Sequence, residues 1–285
     1  MGYYQERDRS ITNYQMFELG NTGLSFRGPQ PQTLAQGHYF TCLGAAQTFG
    51  CFCDRPYPNL LAYWLKLPVL NLGYGGAGPS FFLQNSPLID YINRGKFAIV
   101  QVMSGRSESN SLFDTGGLEY IRRRSDGKQL GSEPAYQELL ATGDRDFVNQ
   151  IIAETRQNWV SSYQLLLSKI KVPKILLWFS EREPDYQLTY NNIYCLFGKF
   201  PHLINAQAIA QIIPFANDYI QCVSTRGMPQ LLINRLTGYP TTLNLAYQRP
   251  DLGDKTSFYN DYYFSPEMQR DAAILLKSAC QQYLY

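Results

Sequence analysis

Several short stretches of this 285-residue chain gather hydroxyl, amide, glycine and charged side chains directly after apolar, β-rich runs. Gly44-Ala45-Ala46-Gln47-Thr48-Phe49-Gly50 follows the run ending at Leu43, and Gly73-Tyr74-Gly75-Gly76-Ala77-Gly78 follows Val69 to Leu72. Ser104-Gly105-Arg106-Ser107-Glu108-Ser109-Asn110 follows Phe97 to Met103, and Ser180-Glu181-Arg182-Glu183-Pro184 follows Lys174 to Phe179. The glycine-rich stretch offers backbone N–H groups with little obstruction, suited to an oxyanion, sulfuryl or phosphoryl group. It lacks the Lys and Ser/Thr of a nucleotide-phosphate loop. A guanidinium at a strand end, as at Arg106 or Arg182, can fork onto a carboxylate, phosphate or sulfate. Glu181 or Glu183 becomes a general base if burial raises its pKa.

These loops need strands to carry them. Tyr39 to Leu43, Val69 to Leu72, Phe97 to Met103, Lys174 to Phe179 and Tyr219 to Val223 read as strands. Helical stripes separate them: Leu60, Leu61, Trp64 and Leu65; then Val148, Ile151, Ile152, Thr155, Trp159, Tyr163 and Leu166. A last helix starts after Ser265 and Pro266 and is expected to bury Met268, Ala272, Leu275, Leu276 and Ala279. Strands joined by helices of this length pair in parallel with right-handed crossovers. The expected fold class is α/β, a three-layer α/β/α sandwich with a parallel sheet of about five strands. In such sheets ligands sit beyond the carboxyl ends of the strands. Residues 1–37, with Gly20, Gly23, Gly28, Pro29 and Pro31, read as an arm packed on a single body spanning 38–285. Glu119 to Pro134, with Arg122-Arg123-Arg124, reads as a surface insertion whose arginines form a solvated face.

Composition narrows the function classes. With 45% hydrophobic and 17% charged residues the chain is globular, not disordered. A net charge of +2 gives no electrostatic reason to expect nucleic acid or an anionic membrane as partner. No apolar run is long enough to span a bilayer, and the polar first residues show no targeting signal, so a cytoplasmic protein is expected. The chain has 2 histidines and 6 cysteines, and only Cys51 and Cys53 lie close together. No His-rich metal centre can form and no metal is expected; the cysteines read as structural thiols. His38 reads as a strand residue and His202 as a loop residue.

The order and spacing of the loops resemble the four blocks of the SGNH (GDSL-type) hydrolase superfamily over about residues 38–280. Gly44, Thr48 and Gly50 stand where the first block has its Gly, Thr and Gly. Gly75 or Gly76 suits the second-block glycine, Asn110 or Ser109 the third-block Asn, and Asp261 the Asp of the last block. The resemblance implies the flavodoxin-like strand order 2-1-3-4-5. It fails at the chemistry: Ala46 occupies the nucleophile position, Ala45 the preceding Asp, and Phe264 the catalytic His. A serine nucleophile needs its hydroxyl and a base, and neither is present there. Phe26-Arg27-Gly28-Pro29, Gln47-Thr48-Phe49-Gly50, Val69 to Gly73 and Ser265-Pro266-Glu267-Met268 further resemble an uncharacterised bacterial SGNH-like domain family. Gln269 stands where a His is associated with that family's last motif.

The expectation drawn from these residues is a group transferase moving a sulfuryl or acyl group onto a glycan or related hydroxyl acceptor. Its donor would be 3′-phosphoadenosine 5′-phosphosulfate or a coenzyme A thioester. Arg106 and Arg182 would bind the donor's anionic groups, and the Gly73, Gly75 and Gly76 turn would supply N–H donors. Asp261, Glu181 and Glu183 are the candidate bases. Gln47 and Asn110 would orient the acceptor, with Gly44, Ser104, Ser109 and Tyr263 as further contacts. Two alternatives stand beside it: a carbohydrate- or metabolite-binding pseudoenzyme, and an esterase with another nucleophile such as Thr48.

Overall fold

The computed structural model describes residues 2–244 and 256–284. Its centre is a parallel sheet of five strands: β1 (Phe40–Gly44), β2 (Val69–Gly73), β3 (Ala98–Gln101), β4 (Lys174–Ser180) and β5 (Asp218–Val223). Across the sheet they lie in the order β2-β1-β3-β4-β5, the expected 2-1-3-4-5. Gly44 pairs with Gly73, Leu43 with Val100, Gln101 with Leu177 and Val223 with Ser180, so the strand ends line up along one edge.

Both faces of the sheet are covered, as the apolar strand sequences require. In β4, Leu176 and Trp178 enter one core while Ile175, Leu177 and Phe179 enter the other. The first core is closed by α3 (Pro79–Gln84), α4 (Ser86–Arg94) and the long crossover α6 (Arg145–Lys169), which contributes Trp159, Tyr163 and Leu166. The second is closed by α2 (Tyr57–Leu65) and α7 (Pro266–Gln281) through Leu61, Met268, Ala272 and Leu276; Leu275, expected inside, is exposed on the outer face of that helix. A 4-residue helix, α1 (Ala46–Phe49), follows β1 directly. Helix α6 begins at Asp144, whose side chain accepts from the Phe147 N–H, and the last helix begins at Ser265, which accepts from the Met268 N–H. Among the described residues no helix is long and apolar enough to cross a membrane.

Helix α6 also determines how the chain leaves β3. Tyr163 Oη donates to the Gln101 carbonyl at 2.6 Å and accepts from the Met103 N–H at 2.7 Å. Trp159 Nε1 donates to the Met103 carbonyl at 3.1 Å. Buried backbone groups need partners, and these two side chains supply them where the ladder stops. Ser104 is thereby set at the sheet edge.

The N-terminal segment packs on the body. Arg27, 2% exposed, donates to the carbonyls of Phe49, Gly50, Cys53 and Asp54. Residues Gly2–Asp8 form a helix, with the Tyr4 ring 5.7 Å from Phe49 and 6.4 Å from Tyr263. The stretch expected as a surface insertion folds as three antiparallel strands, Phe113–Asp114, Tyr120–Arg123 and Gln129–Gly131, followed by α5 (Ser132–Ala141). Its arginines do lie outside: Arg122 pairs with Asp114, and Arg123 with Asp126 and Glu138. Its base does not. The Ser132 N–H donates to the Glu119 carbonyl, tying the two ends together. That bond turns both ends of the hairpin toward the strand ends.

Candidate functional site

A cavity of about 1090 Å³ opens beyond the carboxyl ends of β1, β2 and β3. The β1 turn enters it first. At Gly44 a Cβ would lie 2.1 Å from Thr48 Oγ1 and 2.2 Å from Gln101 Oε1, so the crossing admits only glycine. Gln101 Oε1 accepts from the Ala45 N–H at 3.0 Å and from Thr48 Oγ1 at 2.6 Å. Thr48 also lies 2.9 Å from Tyr57 Oη and is fully buried. The threonine hydroxyl braces the turn and does not reach the cavity. Gln47 does line it, 5% exposed, and its Oε1 is buried without a partner.

The second turn is fitted against the first. A Cβ on Gly73 would meet Phe49 N at 2.2 Å. Tyr74 N–H donates to the Gly44 carbonyl at 2.9 Å, after which Tyr74, Gly75 and Gly76 line the cavity. Ser107 Oγ donates to the Gly76 carbonyl at 2.7 Å, linking this turn to the loop after β3.

Arg106 lies in the cavity wall, 7% exposed, and both terminal nitrogens of its guanidinium are engaged. Nη2 donates to Glu119 Oε2 at 2.7 Å and to Tyr262 Oη at 2.9 Å, and Nη1 donates to Glu133 Oε1 at 3.1 Å. Glu119 and Glu133 come from the base of the inserted hairpin, so the segment read as solvated supplies both counter-charges. Arg7, from the N-terminal helix, also lines the cavity; its Nη2 donates to Asp8 Oδ2 at 2.7 Å, and it lies over the rings of Tyr4, Phe52 and Tyr263. The arm therefore closes the cavity of its own chain.

The remaining expected contacts are placed elsewhere. Arg182 is stacked on Tyr186 and spends its N–H groups on the carbonyls of Glu183, Lys199, Pro201 and Ile204. It holds the 199–204 loop and does not line the cavity. Glu181 pairs with Lys199 at 3.1 Å, and Glu183 accepts from Gln221. Asp261 is exposed and outside the cavity, while its neighbours Tyr262 and Tyr263 line it. Asn110 is buried: its Oδ1 accepts from the N–H groups of Leu112 and Phe113, and its Nδ2 donates to Tyr136 and Thr155. Ser109 Oγ accepts from the Thr115 N–H at 3.0 Å. Phe264, expected from the resemblance in the histidine position, packs 4.6 Å from Phe179.

His202, expected as an ordinary loop residue, is 9% exposed with its Nδ1 3.1 Å from Ser104 Oγ. The Arg106 N–H donates to the same oxygen at 3.3 Å. Burial first, then the charges of Arg106, Arg182 and Lys199, hold its pKa well below the usual 6.5, so the ring is neutral at pH 7. Nothing in the spacing of two residues 98 apart signals that pair. Among the described residues no three or more His, Cys, Asp or Glu side chains converge as a metal-ligand set.

Three solved structures are similar over most of the chain. A protein from Lactobacillus plantarum covers 87% of this chain and 98% of its own, with 13% identity and a TM-score of 0.40. A family two carbohydrate esterase from Clostridium thermocellum, in complex with cellohexaose, covers 91% of this chain and 68% of its own, with 9% identity and a TM-score of 0.42. A G-D-S-L family protein from Desulfitobacterium hafniense covers 84% and 100%, with 11% identity and a TM-score of 0.36. No curated protein sequence matches significantly. The model of one domain family matches residues 1–116 and 137–247, the arm and most of the body, and omits the hairpin that carries Glu119 and Glu133. The chain belongs to that family, described as "Domain of unknown function (DUF6473)".

Proposed function

We propose that the cavity binds a neutral, hydroxyl-rich small molecule of the carbohydrate class, on a site whose usual hydrolase positions hold Ala46 and Phe264. The observation that carries this reading is the neutralisation of both guanidinium groups in the wall. Arg106 faces two carboxylates and Arg7 faces one, so neither presents uncompensated positive charge to an anion. What the wall does present is tyrosine rings and hydroxyls at Tyr74, Tyr262 and Tyr263, and the half-buried Glu119 and Glu133. Carboxylate oxygens accept from sugar hydroxyls, and aromatic faces pack against the apolar side of a sugar ring.

Transfer of a sulfuryl or acyl group from an anionic donor draws less support. It calls on Arg106 and Arg182 to hold the donor, and their N–H groups are committed within the chain. Thermal unfolding with a panel of neutral oligosaccharides, coenzyme A and 3′-phosphoadenosine 5′-phosphosulfate separates the two readings, because a ligand of the folded state raises Tm by mass action. A rise with neutral sugars alone is expected; a rise with either anionic donor and none with sugars overturns the proposal.

A further inference from the structure

The geometry points to Ser104 and His202 as a nucleophile–base pair acting on an ester at the cavity wall, at a place in the sheet different from the vacant position at Ala46. Ser104 lines the cavity at the end of β3, and its Oγ lies 3.1 Å from His202 Nδ1. The backbone N–H of Arg106 donates to that oxygen, and with His202 as its Nε2–H tautomer the serine proton points at Nδ1. A neutral ring accepts it.

Both partners are held by buried neighbours, and their two segments are tied to each other. Trp159 and Tyr163 take the polar groups of Met103, just before the serine. The Gly105 N–H, just after it, donates to the His202 carbonyl at 2.9 Å. Arg182 grips the carbonyls of Pro201 and Ile204 on either side of the histidine, and Phe197 and Phe200 pack against its ring at 5.7 and 5.8 Å. Side chains fixed in this way are pre-organised for proton transfer within hydrogen-bond reach.

In the step, Ser104 Oγ bonds to the acyl carbon as its proton moves to Nδ1 and the carbonyl electron pair moves to oxygen. Collapse of that adduct breaks the ester C–O bond, and the departing alkoxide takes the proton back from Nδ1. Water, deprotonated by the same nitrogen, then attacks the acyl-serine; the acyl–Oγ bond breaks, Ser104 Oγ takes that proton back from Nδ1, and the acid is released. That the alcohol portion is a sugar rests on the function proposed above; the pair itself does not.

The test is reaction of the full chain with an alkyl fluorophosphonate, which phosphonylates a serine activated by a base and expels fluoride, read by intact mass and peptide mapping. One adduct, on Ser104, is expected. It disappears in Ser104→Ala, and in His202→Gln its rate falls about 10²-fold or more, the scale of a lost general base. Thermal unfolding of each variant checks that it folds; Ser104→Ala removes a single oxygen and keeps the assignment testable should His202→Gln unfold. A folded wild-type chain that stays unmodified, or is modified elsewhere, overturns the pair. Sugar-induced Tm shifts in that same sample would leave the binding function standing, and labelling of Ser104 without sugar-induced shifts would overturn only the latter.

Discussion

Gln269, on the last helix, donates through Nε2 to the Gln47 carbonyl at 2.8 Å while its Oε1 accepts from the Tyr57 N–H at 2.9 Å. One side chain thus satisfies two buried backbone groups, on the first turn of the site and the start of α2. Gln269→Ala leaves both without partners, at a cost of about 2–4 kcal/mol. Urea unfolding should show the midpoint falling with an unchanged slope.

Glu119 and Glu133 decide what Arg106 offers to a ligand. Replacing both by Gln keeps their volume and removes their charge, so the buried guanidinium faces the cavity as a free cation. The double variant should then bind sulfate or a phosphorylated nucleotide that the parent ignores. At ligand 100-fold above Kd the gain is about 2.7 kcal/mol, which is readable as a Tm rise with the anion and not with a neutral sugar.

Glu108 is buried against α3 and α6, with Oε1 accepting from Ser80 and Ser162 and Oε2 without a partner. Burial raises its pKa from 4.5 to about 7, against the opposing pull of those hydroxyls and the Ser109 N–H. A carboxyl raised on folding contributes stability in its protonated form, fully present below pH 4.5 and lost as pH rises toward about 7. The span corresponds to ~3 kcal/mol. Glu108→Gln should therefore flatten the fall in Tm between pH 5 and 8 (roughly the window of the shift), and a parent Tm independent of pH there would contradict it.

His202 should stay unprotonated where an ordinary histidine titrates. Its burial and the surrounding Arg106, Arg182 and Lys199 lower the folded pKa, while the unfolded chain titrates near 6.5. Two consequences follow from the sign. Stability is fully present above 6.5 and falls as the unfolded state takes up the proton below it. The fluorophosphonate rate at Ser104 stays level through 6.5 and drops only at more acid pH; a rate with its midpoint at or above 6.5 would conflict with this.

Arg7 and Asp8 form a buried pair, with Asp8 fully covered and also accepting from Tyr14 Oη. Arg7→Met strands that carboxylate and should cost about 3–5 kcal/mol. Combining it with Asp8→Asn removes the stranded charge and should recover most of the loss. Chemical unfolding of the single and double variants measures both.

How much of this was legible from the chain depends on the distance over which each feature is decided. The strands around Cys42, Leu70, Ile99, Leu177 and Cys222, the cap at Ser265 and the glycine at Gly44 follow from alternation of side-chain faces, local hydrogen bonds and backbone crowding, all set within a few residues. That Ala46 carries no hydroxyl and Phe264 no imidazole was equally visible, because an absent group needs no fold to be absent. The partners of the polar groups were not. Arg106 and Arg182 both read as ligand contacts until the hairpin brought Glu119 and Glu133 to the first and the 199–204 loop wrapped the donors of the second, and Ser104 met His202 only across the α6 crossover. Charge and proton positions are governed by whichever segments the sheet brings together, and composition or spacing along the chain carries no record of those meetings.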